Sequence, residues 1–338
     1  MSLNAKYNLA FPENPADAEM VPTRDGFGKG LVRAGEQDER VVALCADLTE
    51  STRTQWFAEK FPGRFVQVGV AEQNLAVLAS GMANYGKIPF ITSYATFSPG
   101  RNNEQIRTTV CINNVPVKIA GSHAGVSVGP DGATHQALED IALMRVIPRM
   151  VVVVPADAPQ AQKATFAAAF NGSPTYIRLG REKMPVFTTD DTPFEIGKAQ
   201  VLRDGSDVAI VACGALVYEA LLAARRLADD GIECTVINNH TVKPMDARTI
   251  ADAARACGAV VTAEEHQIAG GMGSAVAEVL AASGPVPVEF VGMQDRFGES
   301  GPPADLMKHF GLDADGIIQA VHRVMKRKKK SRAAKPKK

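Results

Sequence analysis

The chain has 338 residues, enough for two domains with substantial cores, and its 37 basic residues equal its 37 acidic residues in number. This balance is uneven, because nine of the basic residues lie in the acid-free segment 326–338, KRKKKSRAAKPKK. Residues 1–325 therefore hold 28 basic and 37 acidic residues, a net charge near −9. Apolar residues at 46% and charged residues at 22% exclude a disordered or fibrous chain.

Several other classes of protein are excluded. No apolar run approaches the ~20 residues that a membrane helix needs, and the N-terminal segment lacks the features of an export signal. The five cysteines are scattered with no CxxC pair, so we expect reduced core residues of a cytoplasmic protein and no structural zinc site. Neither a GxxxxGK[ST] loop nor a GxGxxG fingerprint occurs, and the glycines at 270–273 favour a closely packed helix start instead.

An irregular arm, residues 1–20, precedes a first domain that we place at 21–185. Apolar runs predict strands over 41–47, 64–70, 88–94, 115–122, 150–156 and 174–180. Several of these runs are apolar throughout, which is typical of parallel strands covered on both faces. Helices are predicted over 72–85 with Gly86 just beyond the end, over about 100–112 and 135–145, and over 157–170 with Asp157 as the N-cap. This alternation predicts an α/β domain with a mostly parallel sheet.

A segment rich in Pro, Asp and Thr predicts a linker at 186–200, followed by a second domain at 201–325. Its predicted strands are 207–215, 233–239, 259–265 and 286–293, and its predicted helices are 216–229, 246–257, 272–282 and 314–326. The fold class is therefore two tandem α/β domains. We predict that the tail, 326–338, is a solvated, disordered extension, with contact to an acidic surface or a polyanion as the alternative.

The stretch GVAEQN (69–74) places Glu72 directly after a buried-looking strand and at the start of a helix. A carboxylate at this position gains from the helix dipole and from free N–H groups. Glu72 therefore either stabilises its own helix or lies in a pocket at the strand end, which the neighbouring glycine, glutamine and asparagine favour.

The Gly-rich stretch GSHAGVSVGPDGATHQ (121–136) brings His123, Asp131 and His135 into one loop after an apolar strand. Loops at the carboxyl ends of parallel strands hold the ligands of α/β proteins. The spacing matches no zinc pattern. A purely structural role stays open, since Asp131 and Gly132 favour a turn and Thr134 is a possible helix cap. Two histidines and an acid favour hydrogen bonding and proton transfer to a polar substrate.

Aromatic and basic residues form a third group. Tyr94 and Phe97 lie at the end of a predicted strand, where they belong to the core or stack on a planar ligand. Arg24 and Arg181 lie near other strand or loop ends. Either arginine alone is typical of a protein surface.

The motifs GVAEQN, GPDGATHQ and EEHQIAGGMGSAVAE, together with the aromatic strand end, resemble the C-terminal half of transketolase in the same order. The resemblance runs from about Arg24 to residue 325. It implies a thiamine-diphosphate pyrimidine-binding fold followed by the transketolase C-terminal domain, with thiamine diphosphate as the cofactor.

The resemblance also implies roles for individual residues. Glu72 matches the catalytic glutamate that contacts the aminopyrimidine ring of the cofactor. Phe97 matches the aromatic that stacks on this ring, Tyr94 matches a neighbouring aromatic, and Asp47 aligns with an aspartate of the cofactor site.

Other matches concern the substrate. His123 and His135 match catalytic histidines that contact hydroxyls or shuttle protons, and Asp131 matches a residue that holds a substrate hydroxyl. Further residues align with those that grip the sugar phosphate, namely Arg24, Ser51 and Arg181.

The family binds magnesium through a GDG motif and a later asparagine in its N-terminal half, and no GDG occurs in this chain. We therefore expect one subunit of a split transketolase, with the cofactor held against an N-terminal subunit that supplies the magnesium ligands. We further expect a heterotetramer that acts on sugar phosphates. We expect neither a metal site within this chain nor an interaction with membrane or nucleic acid. The alternatives are a deoxyxylulose-phosphate synthase-like or specialised sugar transketolase subunit, and the beta subunit of a 2-oxoacid dehydrogenase.

Overall fold

The computed structural model describes residues 2–12 and 14–333, and within these ranges the chain forms two tandem α/β domains. The helices are α1 (Thr23–Gln37), α2 (Gln55–Lys60), α3 (Glu72–Asn84), α4 (Asn103–Gln105), α5 (Asp140–Arg145), α6 (Ala158–Ala169), α7 (Leu216–Asp229), α8 (Ala247–Cys257), α9 (Met272–Ser283), α10 (Pro303–His309) and α11 (Ala314–Ala333). The strands are β1 (Met20–Val21), β2 (Val41–Cys45), β3 (Phe65–Gln67), β4 (Ile88–Tyr94), β5 (Lys118–Ser122), β6 (Val151–Val153), β7 (Thr175–Arg178), β8 (Met184–Pro185), β9 (Gln200–Arg203), β10 (Val208–Ala212), β11 (Cys234–Asn238), β12 (Thr241–Lys243), β13 (Val260–Gln267) and β14 (Val288–Met293).

The first domain is built on a sheet of order β12-β6-β7-β5-β4-β2-β3. Its strands are parallel except β12, which comes from the second half of the chain and pairs antiparallel with β6. The central strands are buried along their whole length, as their apolar sequences predicted. Because the strands run in parallel, their carboxyl ends and the loops that follow them meet at one edge of the sheet.

The second domain has a sheet of order β14-β13-β10-β11-β9, parallel apart from β9. The helices α7 and α11 pack on this sheet, and their buried side chains form its main core. Within the described part of the chain, no helix is long and apolar enough to cross a membrane. The five cysteines are buried and unpaired, which confirms their prediction as core residues.

Helix α1 was not predicted, because glycines at positions 26, 28 and 30 break a helical pattern. The structure shows why they are needed. A Cβ atom on Gly26 would lie 2.0 Å from the Ala158 carbonyl oxygen, and one on Gly30 would lie 2.6 Å from the Gln162 carbonyl oxygen. The glycines therefore let α1 pack directly on α6, and this contact outweighs their low helix propensity.

Two helices of the first domain differ from their predictions. The helix predicted over 135–145 begins only at Asp140, because the Gln136 side chain bonds to the Val126 carbonyl at 3.1 Å and the Glu299 carbonyl at 2.9 Å and holds its segment as a loop. The helix predicted over about 100–112 is one α-turn, α4, followed by a π-helical segment, Ile106–Cys111. The predicted N-cap is confirmed, since the Asp157 carboxylate accepts from the Gln160 backbone N–H.

The tail differs from its prediction as well. Helix α11 continues to Ala333, so a disordered extension was the wrong prediction for residues 326–333, while residues 334–338 lie outside the described ranges. Lysine and arginine are good helix formers, and two of them contact the second domain. The Arg327 guanidinium donates to Glu289 at 2.7 Å, and the Lys328 ammonium donates to the Asp207 carbonyl at 2.7 Å.

The guanidinium of Arg178, a buried residue at the end of β7, makes one of the contacts that link the two domains. It pairs with the buried Asp140 carboxylate at 2.8 Å, and Asp140 also accepts from the Tyr176 hydroxyl at 2.6 Å. The same guanidinium donates to the carbonyl of Glu265, on β13, at 2.8 Å and to that of Ala137 at 3.2 Å. Burial disfavours the charge, but the partner carboxylates, Asp140 first, outweigh it and raise the pKa of Arg178. One buried cation, located on the first sheet, therefore contacts both the loop segment that precedes α5 and the second domain.

Arg178→Met should lower the free energy of unfolding by about 3–5 kcal/mol, because it leaves the Asp140 carboxylate buried without its counterion. The double variant Arg178→Met/Asp140→Asn should recover part of this loss, since it removes the stranded charge. Urea denaturation measures both. Arg226→Met, which breaks an exposed pair with Asp315, is the control and should cost about 0.5 kcal/mol. Equal losses in the two single variants would contradict this account.

Candidate active site

The candidate site lies at the carboxyl edge of the first sheet. Four adjacent strands, β3, β2, β4 and β5, end there. Each is followed within a few residues by a candidate side chain, namely Glu72 after β3, Asp47 after β2, Phe97 after β4 and His123 after β5. The separate motifs of the sequence are therefore brought to one place by the parallel register of the strands.

Glu72 is the first residue of α3, and its side chain is only 1% exposed. Its carboxylate accepts from the Arg101 guanidinium at 2.7 Å and from the Ser93 hydroxyl at 3.4 Å. The Asn102 side chain donates to the Glu72 carbonyl at 2.9 Å, which fixes the start of the helix. The carboxylate is thus held in place, with one charged partner that is itself half exposed.

Four rings form a cluster at the same edge of the sheet. The ring centroids of Tyr94 and Phe97 are 6.1 Å apart and nearly parallel, and those of Tyr94 and His123 are 4.0 Å apart and stacked. His135 meets the edges of this stack, 5.5 Å from Phe97 and 6.0 Å from Tyr94. The structure therefore brings both aromatics and both histidines of the sequence analysis into one cluster.

His123 has a left-handed backbone, with φ of 58°, and is 1% exposed. Its Nδ1 lies 2.9 Å from the Ser122 hydroxyl. Burial and then the positive charges of Arg24 and Arg181 lower the pKa of His123 to about 3. The imidazole is therefore neutral at physiological pH, and it acts as a hydrogen-bonding group rather than as a cation.

Three arginines, Arg24, Arg181 and Arg53, place their positive charges close to His123. Arg24, in the first turn of α1, donates to the Ser51 carbonyl at 2.9 Å, while its Nε is buried and unpaired within the described residues. Burial and the nearby Arg53 lower the pKa of Arg24. Arg181 donates to the Val128 carbonyl at 2.8 Å. A cluster of like charges with an unused buried donor is suited to binding an anion.

The remaining predicted residues lie at the margin of this cluster. Asp131 is exposed and lies 3.8 Å from the Arg181 guanidinium. Thr134 bonds to the imidazole of His135 at 2.9 Å, so it does not cap a helix. Asp47 follows β2 with φ of 59°, and its backbone N–H donates to the Gln67 side chain at 2.8 Å. Asp47 is exposed, and no contact joins its carboxylate to Glu72 or to the rings among the described residues.

Two residues of the site were not singled out from the sequence. Arg101 follows Phe97 by four residues, and its guanidinium lies 4.7 Å from the centroid of the Phe97 ring as well as on Glu72. Arg53 follows Ser51 by two residues, and it pairs with Asp25 at 2.6 Å. The only signal for either was its proximity in sequence to a motif, since an isolated arginine is usually a surface residue.

The glycines at 270–273 form the close helix start that the sequence predicted. The buried Glu264 carboxylate accepts from the backbone N–H groups of Met272 at 2.6 Å and Gly273 at 2.8 Å. A Cβ atom on Gly271 would lie 2.3 Å from this carboxylate. Glu264 therefore takes the position at which a helix N-terminus would bind a phosphate, which argues against a dinucleotide site.

The neighbouring Glu265 supports the loop of the candidate site. Its carboxylate accepts from the Ser127 backbone N–H at 2.6 Å, and burial raises its pKa. The second domain thus positions the loop that holds His123 and His135. No group of three or more His, Cys, Asp and Glu side chains in the described residues is arranged to hold a metal ion.

Residues 19–186 match the family model "Transketolase, pyrimidine binding domain", and residues 197–317 match "Transketolase, C-terminal domain". The chain is 42% identical, over 90% of its length and 95% of the relative's, to a 6-deoxy-6-sulfo-D-fructose transketolase subunit of Clostridium sp. (strain MSTE9). It is 36% identical, over 91% of its length and 99% of the relative's, to one of the subunits of an apulose-4-phosphate transketolase from Phocaeicola vulgatus.

A solved structure described as "Split gene transketolase, inactive beta4 tetramer" superposes with a TM-score of 0.85. It is 46% identical in sequence, and the match covers 90% of this chain and 99% of that one. The first family model matches the first α/β domain, and the second model matches the second domain. The chain belongs to the transketolase family.

Proposed function

We propose that this chain is the C-terminal subunit of a split transketolase. It transfers a two-carbon ketol unit from a ketose phosphate to an aldose phosphate, with thiamine diphosphate bound between it and an N-terminal subunit. The observation that carries the proposal is the buried Glu72 carboxylate and the Phe97 ring, which the Arg101 guanidinium contacts together and which lie, with the Tyr94 ring, after the carboxyl ends of β3 and β4. The two relatives described as transketolase subunits, which this chain matches over nearly their whole length, support the split.

The residues present fit the aminopyrimidine end of the cofactor. A planar heterocycle needs an apolar face and a fixed hydrogen-bonding group at its edge, and Phe97 and Glu72 offer these side by side. Tyr94 supports the Phe97 ring, and Asp47 lies at the same sheet edge. The bound cofactor supplies carbanion stabilisation, which no side chain offers. Glu72 holds or moves a proton at the ring edge, and magnesium and its ligands belong to the N-terminal subunit.

The other end of the site binds the anionic group of the sugar. Arg24, Arg181 and the Ser51 segment provide the charge and the donors for a phosphate. His123 stacks on Tyr94 close to the arginine charges, His135 packs edge-on against Tyr94 and Phe97, and Asp131 lies 3.8 Å from the Arg181 guanidinium. We assign to these three residues the contacts with substrate hydroxyls. Because the His123 imidazole is neutral, one of its ring nitrogens donates a hydrogen bond and the other accepts one, so it is able to contact substrate hydroxyls without adding a charge.

A specialised sugar is the second candidate substrate. The relatives are named for 6-deoxy-6-sulfo-D-fructose and apulose 4-phosphate, and both sugars carry an anionic group at one end. A coupled assay of the complex separates the candidates. Turnover of xylulose 5-phosphate with ribose 5-phosphate identifies a pentose phosphate enzyme, and turnover of a sulfo-sugar or apulose 4-phosphate identifies a specialised one. Use of pyruvate as the donor in place of a ketose phosphate, with an aldose phosphate or an oxidising acceptor supplied, identifies a synthase or dehydrogenase subunit.

We place the complex in the cytoplasm as a heterotetramer. The five unpaired, buried cysteines fit a reducing compartment. Two copies of each chain would give each cofactor one pyrimidine-binding domain and one diphosphate-binding domain. Co-expression with the N-terminal subunit followed by light scattering measures the stoichiometry directly.

Glu72→Gln should lower kcat of the assembled complex about a hundredfold or more, because the amide cannot hold or release a proton at the ring edge. The measurement is steady-state ketol transfer with saturating thiamine diphosphate and magnesium. Glu104→Gln is the matched control, since Glu104 is exposed on α4 and its carboxylate accepts from the side chain of its neighbour Gln105. Unchanged turnover in Glu72→Gln would contradict the proposed function.

His123→Asn should flatten the dependence of stability on pH. The folded protein binds a proton on His123 less readily than the unfolded chain, since burial lowers this pKa from 6.5 to about 3. The stability that His123 contributes is therefore fully present above about pH 6.5 and falls as the pH drops, by up to about 1.4 kcal/mol per pH unit. Asparagine tolerates the positive φ.

Urea denaturation between pH 7 and pH 4.5 measures the slope for wild type and variant. His322→Asn on the exposed side of α11 is the control. The wild-type and control slopes should agree, and the His123→Asn slope should be smaller. A His123→Asn slope equal to that of wild type would show that His123 takes up its proton as readily in the folded state.

A further inference from the structure

We propose that the Arg101 guanidinium competes directly with the aminopyrimidine of the cofactor, by holding both of the groups that would bind that ring. The inference rests on the proposed function. It concerns a residue that neither the sequence motifs nor the comparisons assign. Arg101 is thereby a residue that sets the affinity of the site rather than one that takes part in the reaction.

The contacts of Arg101 define the competition. Its Nη1 donates to the Glu72 carboxylate at 2.7 Å, and its Cζ lies 4.7 Å from the centroid of Phe97. Its backbone N–H bonds to the Phe97 carbonyl at 2.8 Å, which places the side chain on the same turn as the ring. The guanidinium therefore uses the apolar face of Phe97 and the acceptor of Glu72 at the same time.

A guanidinium and an aminopyrimidine share the chemical features that Glu72 and Phe97 would recognise. Both are planar, both present N–H or N groups at an edge to a carboxyl, and both stack on an aromatic face. Since the Glu72 carboxylate is 1% exposed, the approach to it is narrow. A ring that lies on Phe97 and reaches Glu72 would take the volume that the guanidinium fills, so the two arrangements exclude one another.

Of the two partners, Arg101 is the one able to move. Its side chain is 49% exposed, so the guanidinium can turn into water without a large loss of hydration. Glu72 is held by the start of α3 and by the buried Asn102 amide, which donates to its carbonyl. The cofactor must therefore displace Arg101, while Glu72 stays in place.

This displacement has a measurable cost in affinity. The apparent Kd equals the intrinsic Kd divided by the fraction of sites in which Arg101 is turned away from Glu72 and Phe97. The half-exposed ion pair with Glu72 and the cation–π contact with Phe97 each shift the equilibrium a few-fold toward the arrangement in which Arg101 occupies the site. We therefore expect Arg101→Met to lower the apparent Kd for thiamine diphosphate about fivefold.

The experiment is a calorimetric titration of thiamine diphosphate, with magnesium present, into the complex of this chain with its N-terminal subunit. Wild type, Arg101→Met and Arg101→Lys are compared, with Arg248→Met as the control for charge, since Arg248 is 92% exposed in the second domain. The Kd should fall about fivefold in Arg101→Met, fall less in Arg101→Lys and stay unchanged in Arg248→Met. A Kd for Arg101→Met that is unchanged or higher would overturn the inference.

Free guanidinium ion provides a second readout. Added at millimolar concentrations to an Arg101→Ala complex, it should raise the Kd for thiamine diphosphate relative to the same concentration of sodium chloride, and the wild-type complex should respond less. An equal response of both complexes would also overturn the inference. If neither wild type nor any variant binds thiamine diphosphate, the proposed function itself is wrong, and this outcome is distinct from tight binding without an Arg101 effect.

Discussion

The buried guanidinium of Arg178 is the contact on which the arrangement of the two domains depends. A charge inside a protein is tolerated only where it is matched, and here Asp140 matches it while the carbonyls of Ala137 and Glu265 accept from its Nη2. One group thus fixes the end of β7, the start of α5, the loop after His135 and the second domain. These contacts, together with that of the Glu265 carboxylate on the Ser127 N–H, link the loop of the candidate site to the packing of the second domain.

The chemistry proposed for the site requires local positive charge on a chain that is acidic over most of its length. Residues 1–325 carry a net charge near −9, which repels a sugar phosphate. Arg24, Arg53 and Arg181 lie together around the neutral His123 and give the site a local positive field. The basic residues at the end of the chain serve a different purpose in the described part of α11, where Arg327 and Lys328 bind the second domain.

Much of the fold was predictable from the sequence. Parallel strands buried on both faces are apolar runs, and capping residues such as Asp157 and Gly86 mark the ends of the helices between them. Helix α1 was not, since its glycines act through contact with α6, and β12 was not, since its pairing with the first sheet joins parts of the chain far apart in sequence. The sequence placed Glu72, Phe97 and His123 at strand ends. It did not single out Arg101 or Arg53, because an arginine is informative only once its partners are known in space.

The central claim is that Glu72 and Phe97 form the binding site for the aminopyrimidine of thiamine diphosphate. The most direct measurement is a crystal structure of the chain with its N-terminal subunit, thiamine diphosphate and magnesium. We predict that the aminopyrimidine ring lies on the face of Phe97 with its edge on the Glu72 carboxyl, and that the Arg101 guanidinium is turned away. A cofactor bound elsewhere, with Arg101 still paired to Glu72 as in this structure, would contradict the account.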